Sequence, residues 1–264
     1  MRIHQIKDWN DFIRIANALD IQNPLSMAYA FRGHANEGWE LKSSFHRIVD
    51  PGSTSEAEAL SLEGASISEF KSQAHIYLNS NEFSATTDPV SWLCVMQHHG
   101  APTRLLDWTS SIYVAAYFAV SAEFDKDGSV ILVHINSVDE RVKKLHGNFS
   151  FPTTENEIRN QYMNVGAPNT LLFTARITKS SRMIAQQAFF SISRNICCKH
   201  QDVLNNLFSE SEERLLYSKL IIPSTSKNTF LKKLRQMNIT ASSLYPGIDG
   251  LGKSISELLN ISKP

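Results

Sequence analysis

Apolar positions recur along the chain in two rhythms, one of helical and one of strand type. Residues 9–20 set Phe12, Ile15, Ala16 and Leu19 on one helical face, which predicts a helix. A longer helix is predicted from Glu58 to about Leu78, with Leu60, Leu62, Ile67, Phe70, Ala74 and Tyr77 at core spacing. Val90–Met96 and Thr229–Met237 read as two more, the latter through Phe230, Leu231 and Leu234. From Ile112 to about Phe124 apolar residues occupy nearly every face, and a helix of that kind belongs inside a domain. Runs of strand type are Tyr29–Gly33, Trp39–Lys42, Ser129–Ile135, Thr170–Ile177 and Lys219–Pro223, with a further strand behind the polar turn of Arg182–Ile192. Turns are expected at Asp127-Gly128 and Leu244–Gly247. The stretches 50–57, 80–89 and 147–160 read as loops or connections, Ser137–Leu145 as a solvated helix, and Ser254–Leu259 as a short last helix. Strands in the middle with helices before and between them predict an α+β domain.

The run from Gln97 to Trp108, QHHGAPTRLLDW, is polar and rich in turn residues, and it leads straight into the apolar helix. Thr109, Ser110 and Ser111 supply hydroxyls where that helix needs an N-cap. A loop held by a buried helix is rigid, and the free N–H groups at the helix start suit an anion. Arg32, inside an apolar strand, needs a partner, which is either a structural carboxylate or an anionic ligand.

Composition narrows the choices. With 26 basic and 26 acidic residues in 264, the chain has no bulk attraction to nucleic acid or to a membrane. Three cysteines, two of them adjacent, do not make a disulfide framework. The first fifteen residues lack the apolar core of a signal peptide and no run is long enough to span a bilayer, so a cytoplasmic location is expected. No metal site is expected: His98-His99 are adjacent residues that point apart, and Cys197-Cys198-Lys199-His200 lacks the gap of a zinc knuckle. Gly-x-Ser-x-Gly, Walker and Gly-x-Gly-x-x-Gly motifs are all missing. Arg32, Arg47, Gln97, Arg104, Asp107, Trp108 and Gln186 remain. Arginines, amides, a carboxylate and an indole suit a ligand bearing phosphates, ribose and a ring; equally, Arg104 and Asp107 serve to tie the loop to the helix.

Phe31-Arg32-Gly33, the run Gln97-His98-His99-Gly100-x-Pro102-Thr103-Arg104-Leu105-Leu106-Asp107-Trp108-Thr109, and Ala115-Ala116-Tyr117-Phe118-Ala119 together resemble the bacterial FRG domain. The likeness extends through Arg182…Gln186-Gln187-Ala188-Phe189, with alanine where glycine is expected at 188, and ends near Leu244–Leu251. It implies one FRG-type domain over residues 1–264. Residues 1–90 would be a helical portion carrying the first core strand, and 91–264 a sheet core with C-terminal helices. FRG domains are distantly similar to ADP-ribosyltransferases, which implies a split or strongly twisted sheet and NAD as substrate. On that resemblance Arg32 and Arg104 bind the pyrophosphate, Trp108 lines the nicotinamide or adenine pocket, and Asp107 or Gln186 holds ribose hydroxyls. Arg47, Gln97, His98 and Thr109 complete the NAD site, and Arg32, Asp107 and Gln186 are the catalytic candidates. The transferase glutamate has no counterpart, since no glutamate lies between Glu157 and Glu210 and Gln186-Gln187 stands in the corresponding place. The setting implied is a toxin or phage-defence effector modifying nucleic acid, RNA foremost, or protein, with an antitoxin protein as partner. A non-catalytic nucleotide-sensing or protein-interaction module is the alternative, with a metal-dependent hydrolase behind both.

Overall fold

Capping chemistry written into the sequence starts most of the helices. Asp8, Ser43, Ser55, Asp88, Ser111, Thr154, Ser180 and Thr240 each accept a backbone N–H from the turn that follows them. The structure, a computed structural model, describes residues 1–19, 28–50, 52–79, 83–84, 86–147, 154–174, 180–208 and 215–262. In chain order its elements are β1 (Arg2–Gln5), α1 (Trp9–Ala18), β2 (Tyr29–His34), α2 (Ser44–Ile48), α3 (Glu56–Ala74), α4 (Pro89–His98), β3 (Leu105–Thr109), α5 (Ile112–Val120), β4 (Gly128–His134), α6 (Ile135–His146), α7 (Glu155–Tyr162), β5 (Leu171–Thr174), α8 (Ser181–Ala185), β6 (Ala188–Ser193), α9 (His200–Leu207), β7 (Tyr217–Ile222), α10 (Lys227–Gln236), α11 (Ala241–Leu244) and α12 (Ile248–Ile261). The expected α+β class holds.

The strands form one mixed sheet in the order β1-β7-β4-β2-β3-β6-β5, parallel at β1–β7 and antiparallel elsewhere. Strand β4 is buried along most of its length. Val130 and Leu132 face a core built with α1, α5, α10, α11 and α12, while Ile131 and Val133 face a second core with α6 and α9. Burial on both sides explains its unbroken apolar reading. A third cluster joins α4, α7 and α8 to Leu105, Phe190 and Ile192 on the β3–β6 side.

Helix α5 lies unusually close to the sheet because two glycines let it. A Cβ built on Gly33 would stand 2.0 Å from Ala115 O, and one on Gly128 would stand 2.1 Å from Ala119 O. The small residues Ala115 and Ala119 meet those glycines backbone to backbone. At the C-terminal end of α5 the buried Lys227 ammonium donates to the carbonyls of Ala122 (2.9 Å), Glu123 (2.7 Å) and Ala35 (2.7 Å), pinning the helix to the chain leaving β2.

The sheet is nearly divided at its centre. Strands β2 and β4 pair over six residues and β3 and β6 over five, yet β2 and β3 meet only at Phe31 opposite Thr109. Beyond that pair they separate.

Several sequence expectations need correction. Trp39–Lys42 is no strand: Trp39 N bonds Asn36 O and Lys42 N bonds Glu40 O, so its backbone is satisfied by local turns. The run after Gln97 is not all loop, because α4 continues to His98, Gly100 turns with φ +82°, and residues 105–109 enter the sheet as β3. Within 147–160, residues from Glu155 onward are helical, under a capping box of Thr154 and Glu157. The last helix starts at Ile248 rather than Ser254. Strand β1 and helices α2, α9 and α11 had no predicted counterpart, and α8 stands where a polar turn was expected. Parts of five expectations lie outside the described residues: position 20 of the first helix, 51 of the loop 50–57, 80–82 and 85 of the connection, 148–153 of the loop 147–160, and 175–177 of the strand from Thr170.

Two of the three buried histidines, His34 and His200, give the fold an acid limit. Burial, reinforced by the Arg32 charge at His34 and by His46 at His200, pushes each down to about 3. Between pH 6.5 and pH 3 the unfolded chain therefore binds protons that the folded chain refuses, and stability falls as pH is lowered. At about 1.4 kcal/mol per pH unit for each group, the pair should remove roughly 5 kcal/mol between pH 6 and pH 4. Denaturant midpoints measured across that range check this; a flat profile would mean that water and protons reach both rings.

Candidate functional site

The parting of β2 and β3 leaves ladder groups without backbone partners, and side chains take their place. Arg32 projects from β2 into the gap, where Nη1 donates to the Asp107 carbonyl oxygen at 2.6 Å and lies 3.8 Å from Asp107 Oδ2. Its Nε donates to His34 Nε2 at 3.0 Å. That bond fixes the tautomer of His34: its proton sits on Nδ1, directed at Trp39 O 3.2 Å away, and its neutral Nε2 accepts from the guanidinium. Arg32 is thus oriented from both sides and still 19% exposed toward the cleft.

Asp107 is the acidic residue of this cleft, with half of its side chain exposed. Gln97, at the end of α4, donates from Nε2 to Asp107 Oδ2 at 2.8 Å, and Thr103 Oγ1 donates to Gln97 Oε1 at 2.7 Å. The relay sets the amide the right way round and aims the carboxylate. It leaves Oδ1 with no partner among the described residues.

The cleft measures about 390 Å³, within the range of small-molecule pockets. The β2 end contributes Arg32 and Gly33, β3 contributes Asp107 and Thr109, α5 contributes Phe118, and α8 contributes Arg182 with Gln186 just after it. Gln186 Nε2 donates to Leu244 O at 3.0 Å, fixing its amide against α11 and leaving Oε1 unpartnered among the described residues. Gln187 follows with φ +48°, and its carbonyl and side chain hold Ser110 N (3.1 Å) and Ser110 Oγ (3.3 Å), next in the chain to the lining residue Thr109.

Arg32, Gln97, Asp107, Thr109 and Gln186 therefore converge from positions as far apart as 32 and 186. Other candidates take different places. Arg104, expected at the pyrophosphate, lies outside the cleft lining: it is wholly buried, with Nε 2.8 and 3.0 Å from the Glu63 carboxylate oxygens and Nη1 donating to the carbonyls of Ser193 and Arg194. It immediately precedes β3 and lies in the protein interior, where a guanidinium must be paired. Trp108 borders the cleft but offers no ring for stacking. Its indole is buried against Phe173, and Nε1 donates to Ser191 Oγ at 2.7 Å. Thr109 Oγ1 accepts Ser111 N at 3.1 Å, which commits it to the turn before α5. His98 lies off the cleft, with Nδ1 3.4 Å from Ser180 Oγ. Arg47 stands exposed on α2, near enough for its charge to be felt at Arg32 and His34.

Two residues were missed. Trp39 lines the cleft half exposed, its ring edge-on to His34, and supplies the accessible aromatic expected of Trp108. Arg182 supplies a second guanidinium in place of Arg104. A strand reading hid the first. The second stood in a recognised motif without a role.

Residues 27–128 match the family model of the FRG domain. The matched segment is less than half of the chain; it contains β2, Gln97, β3 and α5 and stops short of Arg182 and Gln186. No curated protein and no solved structure matches the chain. Among the described residues no helix is long and apolar enough to cross a membrane.

Proposed function

We propose that the cleft between β2 and β3 binds NAD and transfers ADP-ribose from it, as the resemblance of FRG domains to ADP-ribosyltransferases implies. One observation carries this reading: Arg32 and the Gln97-aimed Asp107 carboxylate meet in a single cleft exactly where the central strands part. The reaction asks little covalent chemistry of the protein. The bond between ribose C1′ and the nicotinamide nitrogen breaks, its electron pair leaves with neutral nicotinamide, and an oxocarbenium-like ribose develops. The acceptor's O–H or N–H then attacks C1′, and its proton passes to a base.

Asp107 fits both needs. Its negative charge would stabilise the positive charge that builds on the sugar, and its second oxygen, with no partner among the described residues, would take the proton. Arg32 holds the phosphates, Gln186 Oε1 accepts from a ribose hydroxyl, and Trp39 offers a face to a ring. Asp107 does here what the missing glutamate does in related enzymes. Toxin or defence roles, and an antitoxin protein to restrain them, follow from the same resemblance.

The second reading, a nucleotide-sensing module without turnover, draws on the single carboxylate in the cleft lining. One experiment separates the two. The protein is incubated with NAD carrying a labelled phosphate together with total cell RNA, DNA and protein. The transferase reading expects label on one macromolecular fraction, RNA foremost, with nicotinamide released in equal amount. Nicotinamide without labelled macromolecule would indicate hydrolysis, and NAD bound but unchanged would favour the sensor.

A further inference from the structure

The cleft wall nearest the C-terminal helices carries a cation that the protein leaves without an anion. Arg182, on α8, lines the cleft, yet its guanidinium has no hydrogen bond or ion pair among the described residues. Its recorded contact is the ring of Tyr245, 4.8 Å from Cζ. Lys253 Nζ, on α12, stands 4.3 Å from the same ring. Stacking restrains the plane of a guanidinium while leaving its N–H edge open, which is the arrangement that accepts two oxygens at once.

The platform itself is firmly held. Gln186 bonds to the carbonyl of Leu244, next to Tyr245, so α8 and the ring beneath Arg182 are tied together. Gly250 packs so closely under Tyr245 that an added Cβ would meet its carbonyl oxygen at 1.8 Å. Phe118 meets the ring edge-on at 6.3 Å. The other cleft cation, Arg32, already bonds to His34 and to the Asp107 carbonyl, and the one carboxylate in the lining is held by Gln97 and Arg32. The lining therefore holds two guanidiniums against one carboxylate, and the uncompensated one is Arg182.

We infer that Arg182, stacked on Tyr245, and Arg32 form the anion subsite of the cleft, and that the subsite takes a pyrophosphate-linked ligand. This rests on the NAD reading and moves the pyrophosphate contact from Arg104 to Arg182. Tyr245 is a positioning residue in this arrangement.

Equilibrium binding of ADP-ribose, inorganic pyrophosphate and nicotinamide riboside to the full chain tests it, using wild type, Arg182→Gln and Tyr245→Leu. Arg182→Gln should weaken ADP-ribose and pyrophosphate by about tenfold or more, leave nicotinamide riboside unchanged, and flatten the salt dependence of ADP-ribose binding. Tyr245→Leu, which keeps the charge and removes the platform, should give an intermediate loss for the same two ligands. Equal ADP-ribose affinity in wild type and Arg182→Gln would overturn the subsite while leaving the NAD reading intact. Equal loss for all three ligands in Arg182→Gln would make the residue structural and overturn it too. A wild type that binds none of the three would take both down.

Discussion

Replacing Glu63 by alanine is expected to cost about 3–5 kcal/mol of folding stability, a large share of the roughly 5–15 kcal/mol a domain holds. Glu63 and Arg104 are both buried, joined by a bidentate contact that links α3 to the residue just before β3. Removing the carboxylate leaves a guanidinium in the interior whose remaining hydrogen-bond partners among the described residues are the carbonyls of Ser193 and Arg194 and the Met163 sulfur. The cost is that of an unpaired buried charge rather than of a lost attraction. A double variant, Glu63→Leu with Arg104→Met, should therefore be markedly more stable than Glu63→Ala alone. Denaturant unfolding of the three proteins measures both effects. A loss below about 1 kcal/mol in the single variant would match a solvent-exposed pair instead.

That pair shows where sequence reading stops. Arg104 and Arg32 look alike in the chain, each an arginine at one end of a short apolar run, and both suit a phosphate. What separates them is Glu63, a residue on a helix 41 positions away, and nothing local to Arg104 announces it. Strand β3 was hidden for a similar reason: its partners β6 and β2 lie about 80 residues to either side, and five residues carry too little pattern to outweigh the turn signals before them. Helix α5, by contrast, was legible because an all-apolar helix has nowhere to go but inside, and Ser111 caps it at the predicted place. Helix α7 was legible and overlooked: Thr154-x-x-Glu157 is a capping-box pattern in plain view. The convergence of Arg32, Gln97, Asp107 and Gln186 was expected from the resemblance, whereas Trp39 and Arg182 needed coordinates. A half-exposed indole and an unpaired guanidinium are properties of the folded surface.

Asp107→Asn carries the second large expectation. The substitution keeps the size of the side chain and leaves an oxygen for the Gln97 amide, so neither fold nor NAD affinity should change by more than about twofold. On the proposed mechanism it removes the charge that would face the developing cation and the oxygen that would take the acceptor's proton, each effective mainly in the transition state. Loss of a general base alone is worth about 10²–10⁴ in rate. The measurement is single-turnover nicotinamide release and label transfer from saturating NAD, by wild type and Asp107→Asn side by side, with NAD affinity determined for both. Transfer reduced about a hundredfold or more at near-equal affinity is the predicted result. An Asp107→Asn protein that binds NAD and transfers ADP-ribose at the wild-type rate would contradict the assignment of this cleft as the catalytic centre.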